Sequence, residues 1–234
     1  MPDPVDRPNR WADLGIRTAS ALVLAPIVIA CVWWGGAIFV GIVGLTAVGL
    51  AVEWLRLLGG GKPDRRACPA WVITGLGYIA IGATALLWLR SAPDVGRANV
   101  LFLLIVVWSN DIGAYVVGRL IGGPRLAPRI SPGKTLSGAV GGLLAAAAAG
   151  MFAAHVLADG SLWRAIAVAA VLGAVAQSGD LLESCVKRRL EVKDSGDLIP
   201  GHGGLFDRLD ALLAAAPVAA ILALILGRGV VLWQ

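Results

Sequence analysis

The chain has 234 residues, of which 58% are hydrophobic and 15% are charged, whereas soluble domains average about 45–50% apolar and about 25% charged residues. With a mean hydropathy of +0.79, this composition excludes a disordered chain, a nucleic-acid-binding module and a soluble enzyme with a single core. The three cysteines, Cys31, Cys68 and Cys185, lie far apart without a CxxC pair, which disfavours a zinc site or a disulfide framework.

Seven apolar stretches predict an all-α, polytopic transmembrane bundle with about seven spans, at about 20 residues per crossing. The third stretch could instead be a broken pair, giving about eight spans, because Gly75, Gly77 and Gly82 interrupt it. The first is expected to be a span and not a cleaved signal peptide, because acidic residues precede it. The stretches are 17–35, 37–58, 69–89, 98–118, 137–157, 162–183 and 210–232.

Lys and Arg residues are unevenly distributed between the predicted loops. Sixteen of the 20 lie in the N-terminal segment and in every second loop, and the intervening loops carry four. Because cytoplasmic loops are enriched in Lys and Arg, we predict a cytoplasmic N-terminus, an inner-membrane location and a polar face toward the cytoplasm. The same asymmetry explains the pI near 9.6 without a nucleic-acid partner.

Two loops on the basic side, 119–136 and 184–209, are long and polar. Polar residues retained at membrane depth are usually functional, so we expect the functional site at these loops and at the flanking helix ends. Glu53, inside the second stretch, is more typical of a helix-pairing or topology residue, with a functional role as the alternative. We divide the chain into N-terminal transmembrane helices, 1–97, and a functional core, 98–234.

The sixth stretch ends in polar residues that a helix would align. Cations at such a position can extend toward lipid phosphates without any further role, but this alternative leaves the carboxylate at the membrane boundary unexplained. We therefore predict that the aligned residues act together at a site. At i, i+4, i+7 and i+8 they are Asp180, Ser184, Lys187 and Arg188.

The segment before the seventh stretch combines charges with glycines. Residues 200–204, Pro-Gly-His-Gly-Gly, predict a loop with exposed amides that favour an anionic ligand. Asp207 and Asp210 share a helix face, so their oxygens could hold a hard divalent cation; alternatively, both could cap the first turn. Further candidate binding residues in this segment are Lys193, Asp194, His202 and Arg208.

A third polar group surrounds the end of the fourth stretch. Asp111 lies inside the stretch beside Asn110, and because an unpaired carboxylate in hydrocarbon is costly, we expect it to face a water-filled cavity or a partner. Residues 133–135, Gly-Lys-Thr, do not form a P-loop, because Pro128 occupies the position of its first glycine. Ser131, Lys134 and Thr135 are expected to form a basic, polar loop that contacts phosphates.

Four blocks of sequence follow one another in a fixed order: Asn110-Asp-Ile-Gly-Ala-Tyr115 with Gly118-Arg119, Ser131-Pro-Gly-Lys-Thr135, Gly179-Asp-Leu-Leu-Glu-Ser184, and the long mixed segment 184–210. Together they resemble the phosphatidate cytidylyltransferase family, the CDP-diacylglycerol synthases. The resemblance covers roughly residues 108–216. It has two departures: Ser137 stands where the family usually has Glu, and the N-terminal half is shorter than is usual.

The resemblance implies a Mg²⁺-dependent membrane homodimer that converts CTP and phosphatidate into CDP-diacylglycerol and pyrophosphate, with a second cation left open. It implies catalytic roles for Asp180, Lys187, Asp207 and Asp210, with the metal on the three aspartates. The lipid substrate need not leave the bilayer. Substrate binding is expected from Asp111, Ser131, Lys134, Thr135, Ser184, Arg188, Lys193, Asp194, His202 and Arg208.

Two other functions remain as alternatives. A CDP-alcohol phosphotransferase also clusters aspartates beside a membrane, but its Asp-Gly-x-x-Ala-Arg opening is missing. A transporter of a phosphorylated solute is disfavoured because the chain has no internal repeat and because its carboxylates gather at one membrane surface. Consumption of CTP in sealed vesicles separates a transferase from a transporter.

Overall fold

The computed structural model describes residues 24–60, 69–192, 195–196, 204–227 and 229–234. These residues form helices that run up and down through one bundle, with a short antiparallel hairpin between the fourth and fifth helices. The elements are α1 (Leu24–Trp34), α2 (Gly36–Gly60), α3 (Pro69–Arg90), α4 (Gly96–Ile121), β1 (Arg125–Ala127), β2 (Ser131–Thr135), α5 (Leu136–Leu157), α6 (Leu162–Arg189) and α7 (Phe206–Leu226).

Among the described residues, the six helices α2 to α7 are long and apolar enough to cross a membrane, with hydropathies of 1.7 to 2.4. This confirms a multi-pass helical membrane bundle. The first predicted stretch, 17–35, is described only from Leu24, where the short apolar helix α1 begins. The alternative of a broken third stretch is wrong, because α3 is continuous from Pro69 to Arg90. The cytoplasmic N-terminus and the division at residue 97 stay predictions.

Small residues bring α4 and α5 close together. A Cβ atom on Gly138 would lie 2.8 Å from the Ala114 carbonyl oxygen, and one on Gly142 would lie 2.8 Å from that of Asn110. Larger residues would therefore separate the two backbones, and the two glycines let α4 and α5 pack closely. This contact places the polar end of α4 against the hairpin.

The two ends of the bundle differ in chemistry. The hairpin and the described residues of the α6–α7 connection, 190–192, 195–196 and 204–205, lie at one end, together with Lys134, Lys187 and Arg188. At the other end the C-terminal residues fold back: the Trp233 ring stacks on Phe102 with centroids 4.6 Å apart. The functional candidates are therefore concentrated at the hairpin end.

Candidate functional site

Three carboxylates from two helices meet at the hairpin end. Asp180 and Glu183 lie one turn apart on α6, Asp210 lies on α7, and their oxygens fall within 4.8 Å of one another. Glu183 is 7% exposed and Asp210 is 6% exposed. Gly179 permits the approach, since a Cβ there would lie 2.9 Å from the Asp210 carbonyl oxygen. We call Asp180, Glu183 and Asp210 the carboxylate cluster.

The carboxylate cluster has the properties of a divalent-cation site. Hard cations such as Mg²⁺ prefer oxygen ligands, and three carboxylates this close repel one another unless a positive charge lies between them. Glu183 Oε1 is buried and accepts no hydrogen bond from the part of the chain that the structure describes. The donor set therefore fits a bound divalent cation.

A polar cavity of about 630 Å³ adjoins the carboxylate cluster. Asp180 belongs to both, and Lys134 Nζ lies 2.5 Å from Asp180 Oδ2. Asp111 and Thr135 also line the cavity, so the structure brings together cavity residues from α4, the hairpin and α6. The volume lies in the range of pockets that hold small molecules, about 300–1,000 Å³. The cations on its wall are Arg119, Arg125 and Lys134.

Asp111 lies where the sequence predicts, facing a polar cavity from within an apolar helix. Its Oδ1 accepts a hydrogen bond from Asn110 Nδ2 at 3.3 Å. Asn110 is in turn held by Gln177 of α6, whose Nε2 donates to Asn110 Oδ1 at 2.8 Å and to the Ala139 carbonyl of α5 at 2.9 Å. Gln177 is not among the predicted site residues, although an amide inside the apolar sixth stretch is a signal in the sequence.

We expect Gln177→Ala to loosen this three-helix junction. It leaves Asn110 Oδ1 without its donor, which costs about 1–3 kcal/mol for a buried polar group, and it removes the additional bond to the Ala139 carbonyl of α5. The melting temperature of the detergent-solubilised protein should fall by several degrees. Ser178→Ala, on the exposed side of α6, should change the melting temperature little. Equal melting temperatures for the two variants would contradict a stabilising role of Gln177 at this junction.

Lys187 and Asp207 form an ion pair beside the carboxylate cluster. Lys187 Nζ lies 2.5 Å from Asp207 Oδ1 and 3.2 Å from Glu183 Oε2. Asp207 Oδ2 accepts hydrogen bonds from the backbone N–H groups of Ser195 at 3.4 Å and Gly204 at 3.3 Å. Through Lys187, Asp207 thus ties two described parts of the α6–α7 connection to α6.

The predicted metal set and the carboxylate cluster share two members. Asp180 and Asp210 lie in the cluster, and Glu183, which sequence analysis did not single out, completes it. Asp207 instead pairs with Lys187. A metal-binding role for Asp207 stays a prediction, and it would require a change in this ion pair.

The predicted polar stripe on α6 divides between two neighbours. Lys187 contacts α7, whereas Arg188 Nε donates to the Ile130 carbonyl in the hairpin at 3.2 Å. Ser184 is half-buried and Arg208 is exposed. Lys193, Asp194 and His202 lie outside the described residues, so their predicted roles stay predictions.

The hairpin has a structural role that the sequence did not predict. Thr135 Oγ1 caps α5 by accepting from the Gly138 N–H at 3.1 Å, and Ser131 begins β2. Ser137, at the position of the departure from the family pattern, donates its hydroxyl to the Gly122 carbonyl and lies 3.1 Å from Thr135 Oγ1. A hydroxyl here therefore closes the base of the hairpin.

Comparison with known proteins identifies similar sequences. Residues 64–226 match the cytidylyltransferase family model. The chain is 50% identical over 146 residues, 62% of its length, to a protein named phosphatidate cytidylyltransferase from Brucella suis biovar 1, and 32% identical over 211 residues, 87% of its length, to one of the same name from Rickettsia felis. These alignments cover 54% and 89% of the two relatives. The chain thus spans about half the length of the Brucella relatives it matches.

Proposed function

This chain belongs to the cytidylyltransferase family, and from this premise we propose that it is a phosphatidate cytidylyltransferase, which transfers CMP from CTP to phosphatidate for phospholipid biosynthesis. One observation carries the proposal: a carboxylate cluster with two buried members adjoins a basic, polar cavity at one end of an apolar helical bundle. A water-soluble nucleotide and a membrane lipid can meet only at such a boundary. The names of the Brucella and Rickettsia relatives support it.

The cavity would take CTP. Lys134, Arg119 and Arg125 on its wall provide cations for the triphosphate, with Arg suited to bidentate contacts and Lys to a point contact. Asp111 on the α4 side offers a polar group for the nucleoside, and the buried Asn110 holds its carboxylate. We place the triphosphate nearest Asp180, because that residue joins the cavity to the carboxylate cluster.

The carboxylate cluster would hold Mg²⁺ through Asp180, Glu183 and Asp210, with Asp207 as the further predicted ligand. When bound, the cation would neutralise negative charge on the phosphates of CTP. A second cation in the site stays open.

The reaction needs little acid–base chemistry from the protein. The second pKa of a phosphate monoester is about 6. The attacking phosphate oxygen of phosphatidate is therefore already an anion at neutral pH. It attacks the α-phosphorus of CTP, a new P–O bond forms, and the bond to the bridging oxygen breaks as pyrophosphate leaves with the electron pair. The obstacle is repulsion between anions, so Lys134, Lys187 and Arg188 act by positioning and neutralising the phosphates.

The apolar exterior suits a lipid substrate. Large side chains on the bundle surface, such as Leu120 and Ile225, are more than 70% exposed, as expected for contact with lipid tails. We propose that the protein lies in the bacterial inner membrane with the cavity toward the cytoplasm, where CTP is found, and that it forms a homodimer, as the family resemblance implies.

Purified protein in mixed micelles with phosphatidate, labelled CTP and Mg²⁺ provides the test, with labelled lipid and pyrophosphate measured together. We expect the two products in equal amounts and their complete loss with excess EDTA, because without the cation the carboxylates repel the triphosphate. Restoration of turnover by added Mg²⁺ is the control for irreversible damage by the chelator.

Each other outcome contradicts a defined part of the proposal. Turnover that persists in EDTA would remove the divalent cation from the mechanism. Folded protein that forms no labelled lipid would exclude the phosphatidate reaction. Movement of label across sealed vesicles without consumption of CTP would indicate a transporter.

A further inference from the structure

Glu53 is a buried acid that none of the catalytic roles above uses. It lies on α2, at residue 53, before the start of the family match at residue 64. It is 2% exposed inside a membrane-spanning helix. A carboxylate in such surroundings is costly unless hydrogen bonds satisfy it, so its partners indicate its role.

Both oxygens of Glu53 accept hydrogen bonds from the beginning of α7. Oε2 accepts from the Phe206 N–H at 2.7 Å, and Oε1 accepts from the Leu205 N–H at 3.1 Å. The first N–H groups of a helix have no partner within the helix, and α7 has no side-chain cap of its own at Leu205. Glu53 therefore acts as an N-terminal cap supplied from 152 residues away in the sequence.

The surrounding contacts fix the same turn of α7. The ring of Trp54, next to Glu53, lies 5.7 Å from the Phe206 ring and donates from Nε1 to the Trp71 carbonyl at 3.1 Å. The Tyr78 hydroxyl donates to the Asp210 carbonyl at 3.0 Å. The first turn of α7 is thus anchored to α2 and α3 at both of its ends.

Two glycines of the α6–α7 connection also lie against Glu53. A Cβ on Gly204 would lie 3.0 Å from the Glu53 carboxyl carbon, and one on Gly196 would lie 2.9 Å from its Cγ. Two described parts of the connection, 195–196 and residue 204, therefore meet at this side chain. Asp207 joins the same two parts through its bonds to Ser195 and Gly204.

We propose that Glu53 is a positioning residue of the active site, which sets the start of α7 and with it the places of Asp207 and Asp210. It lies outside the polar cavity and the carboxylate cluster. It does line a small apolar cavity with Glu183 and Lys187, but both of its oxygens already accept hydrogen bonds from the start of α7. It therefore acts through α7 and not on substrate. The effect on turnover rests on the proposed function, whereas the effect on α7 does not.

The test compares Glu53→Gln and Glu53→Ala with Asn99→Ala. Asn99 is an equally buried polar tether at the other end of the bundle: it is 1% exposed, accepts from the Leu232 N–H at 2.9 Å and donates to the Val230 carbonyl at 3.3 Å. Hydrogen–deuterium exchange of peptides covering 204–212 and 229–234 is measured in micelles, with kcat, KM for CTP and melting temperature.

We expect faster exchange at 204–212 in both Glu53 variants and at 229–234 in Asn99→Ala. The value of kcat should fall at least about tenfold in Glu53→Ala, since a displacement of about 1 Å can cost up to about 10²-fold. In Glu53→Gln, which keeps one acceptor oxygen, kcat should fall less. Asn99→Ala should lower the melting temperature comparably but leave kcat within about twofold, because its hydrogen bonds hold Val230 and Leu232 at the end of the bundle remote from the carboxylate cluster.

Unchanged exchange at 204–212 in the Glu53 variants would overturn the proposal. So would an equal loss of kcat in Asn99→Ala, or failure of Glu53→Gln to fold, since either outcome would make the role of Glu53 purely structural. Wild-type protein without cytidylyltransferase activity would exclude the proposed function, and the exchange measurement would still decide whether Glu53 sets α7.

Discussion

Replacing Asp210 with Asn is expected to lower turnover by about 10²–10³-fold, the cost typical of removing one preorganised electrostatic contact. The substitution keeps the size of the side chain but removes one of the three charges of the carboxylate cluster. The protein should still fold, because the contact that anchors this turn to Tyr78 uses the Asp210 backbone carbonyl, which Asn retains. Turnover at saturating CTP and phosphatidate, with a Mg²⁺ titration, measures the effect.

Asp159→Asn is the matched control for this experiment. Asp159 is exposed and lies just beyond the end of α5, at the end of the bundle remote from the hairpin. The same change of charge there should leave turnover within about twofold, as surface substitutions usually do. Near-normal activity of Asp210→Asn, or a similar loss in Asp159→Asn, would remove Asp210 from the metal site.

Helical periodicity locates the part of the site that a single helix carries. Asp180 and Lys187 are recognisable because charged residues at the end of an apolar stretch stand out, and both lie at the site. Periodicity does not reveal that Lys187 and Arg188 diverge toward α7 and the hairpin. That division depends on which elements pack on either side of α6, and no local pattern encodes it.

The composition of the carboxylate cluster depends on tertiary packing. Asp207 and Asp210 share a face of α7, so the sequence groups them, but the rotation of α7 against α6 directs Asp207 to Lys187 and Asp210 to the cluster. In the sequence, Glu183 resembles an ordinary polar residue near a helix end, and its burial depends on contact with α7. Close packing at Gly179 buries it, and this requires knowledge of both helices.

Partners far apart in the sequence are the least predictable. Glu53 and the start of α7 are separated by 152 residues, so the acid in the second stretch gives no sign of what it binds. The hairpin is hidden for a different reason: its prolines and glycines favour a loop, and its pairing depends on α4 and α5 holding its two ends together.

Replacing Lys187 with Ala is expected to lower kcat/KM at least about tenfold, since a hydrogen bond to a charged group contributes about 1.5–3 kcal/mol. It removes a proposed phosphate contact and also the cation between Asp207 and Glu183, leaving two partly buried acids without their counter-charge. Arg189→Ala, which removes the next cation but one from the same helix, is the control. If both variants lose the same activity, Lys187 serves only to anchor the helix end at lipid phosphates.

A double-mutant cycle of Lys187→Ala with Asp207→Asn then separates the two roles of Asp207. If Asp207 acts mainly by holding Lys187, Asp207→Asn should lower turnover little in a protein that already lacks Lys187. The effects of residues that act as a pair are not additive. If Asp207 binds the metal as the family resemblance implies, Asp207→Asn should abolish turnover in either background and raise the Mg²⁺ requirement. Independent, additive losses with an unchanged Mg²⁺ requirement would contradict both roles, because they would leave Asp207 coupled neither to the lysine 2.5 Å away nor to the cation.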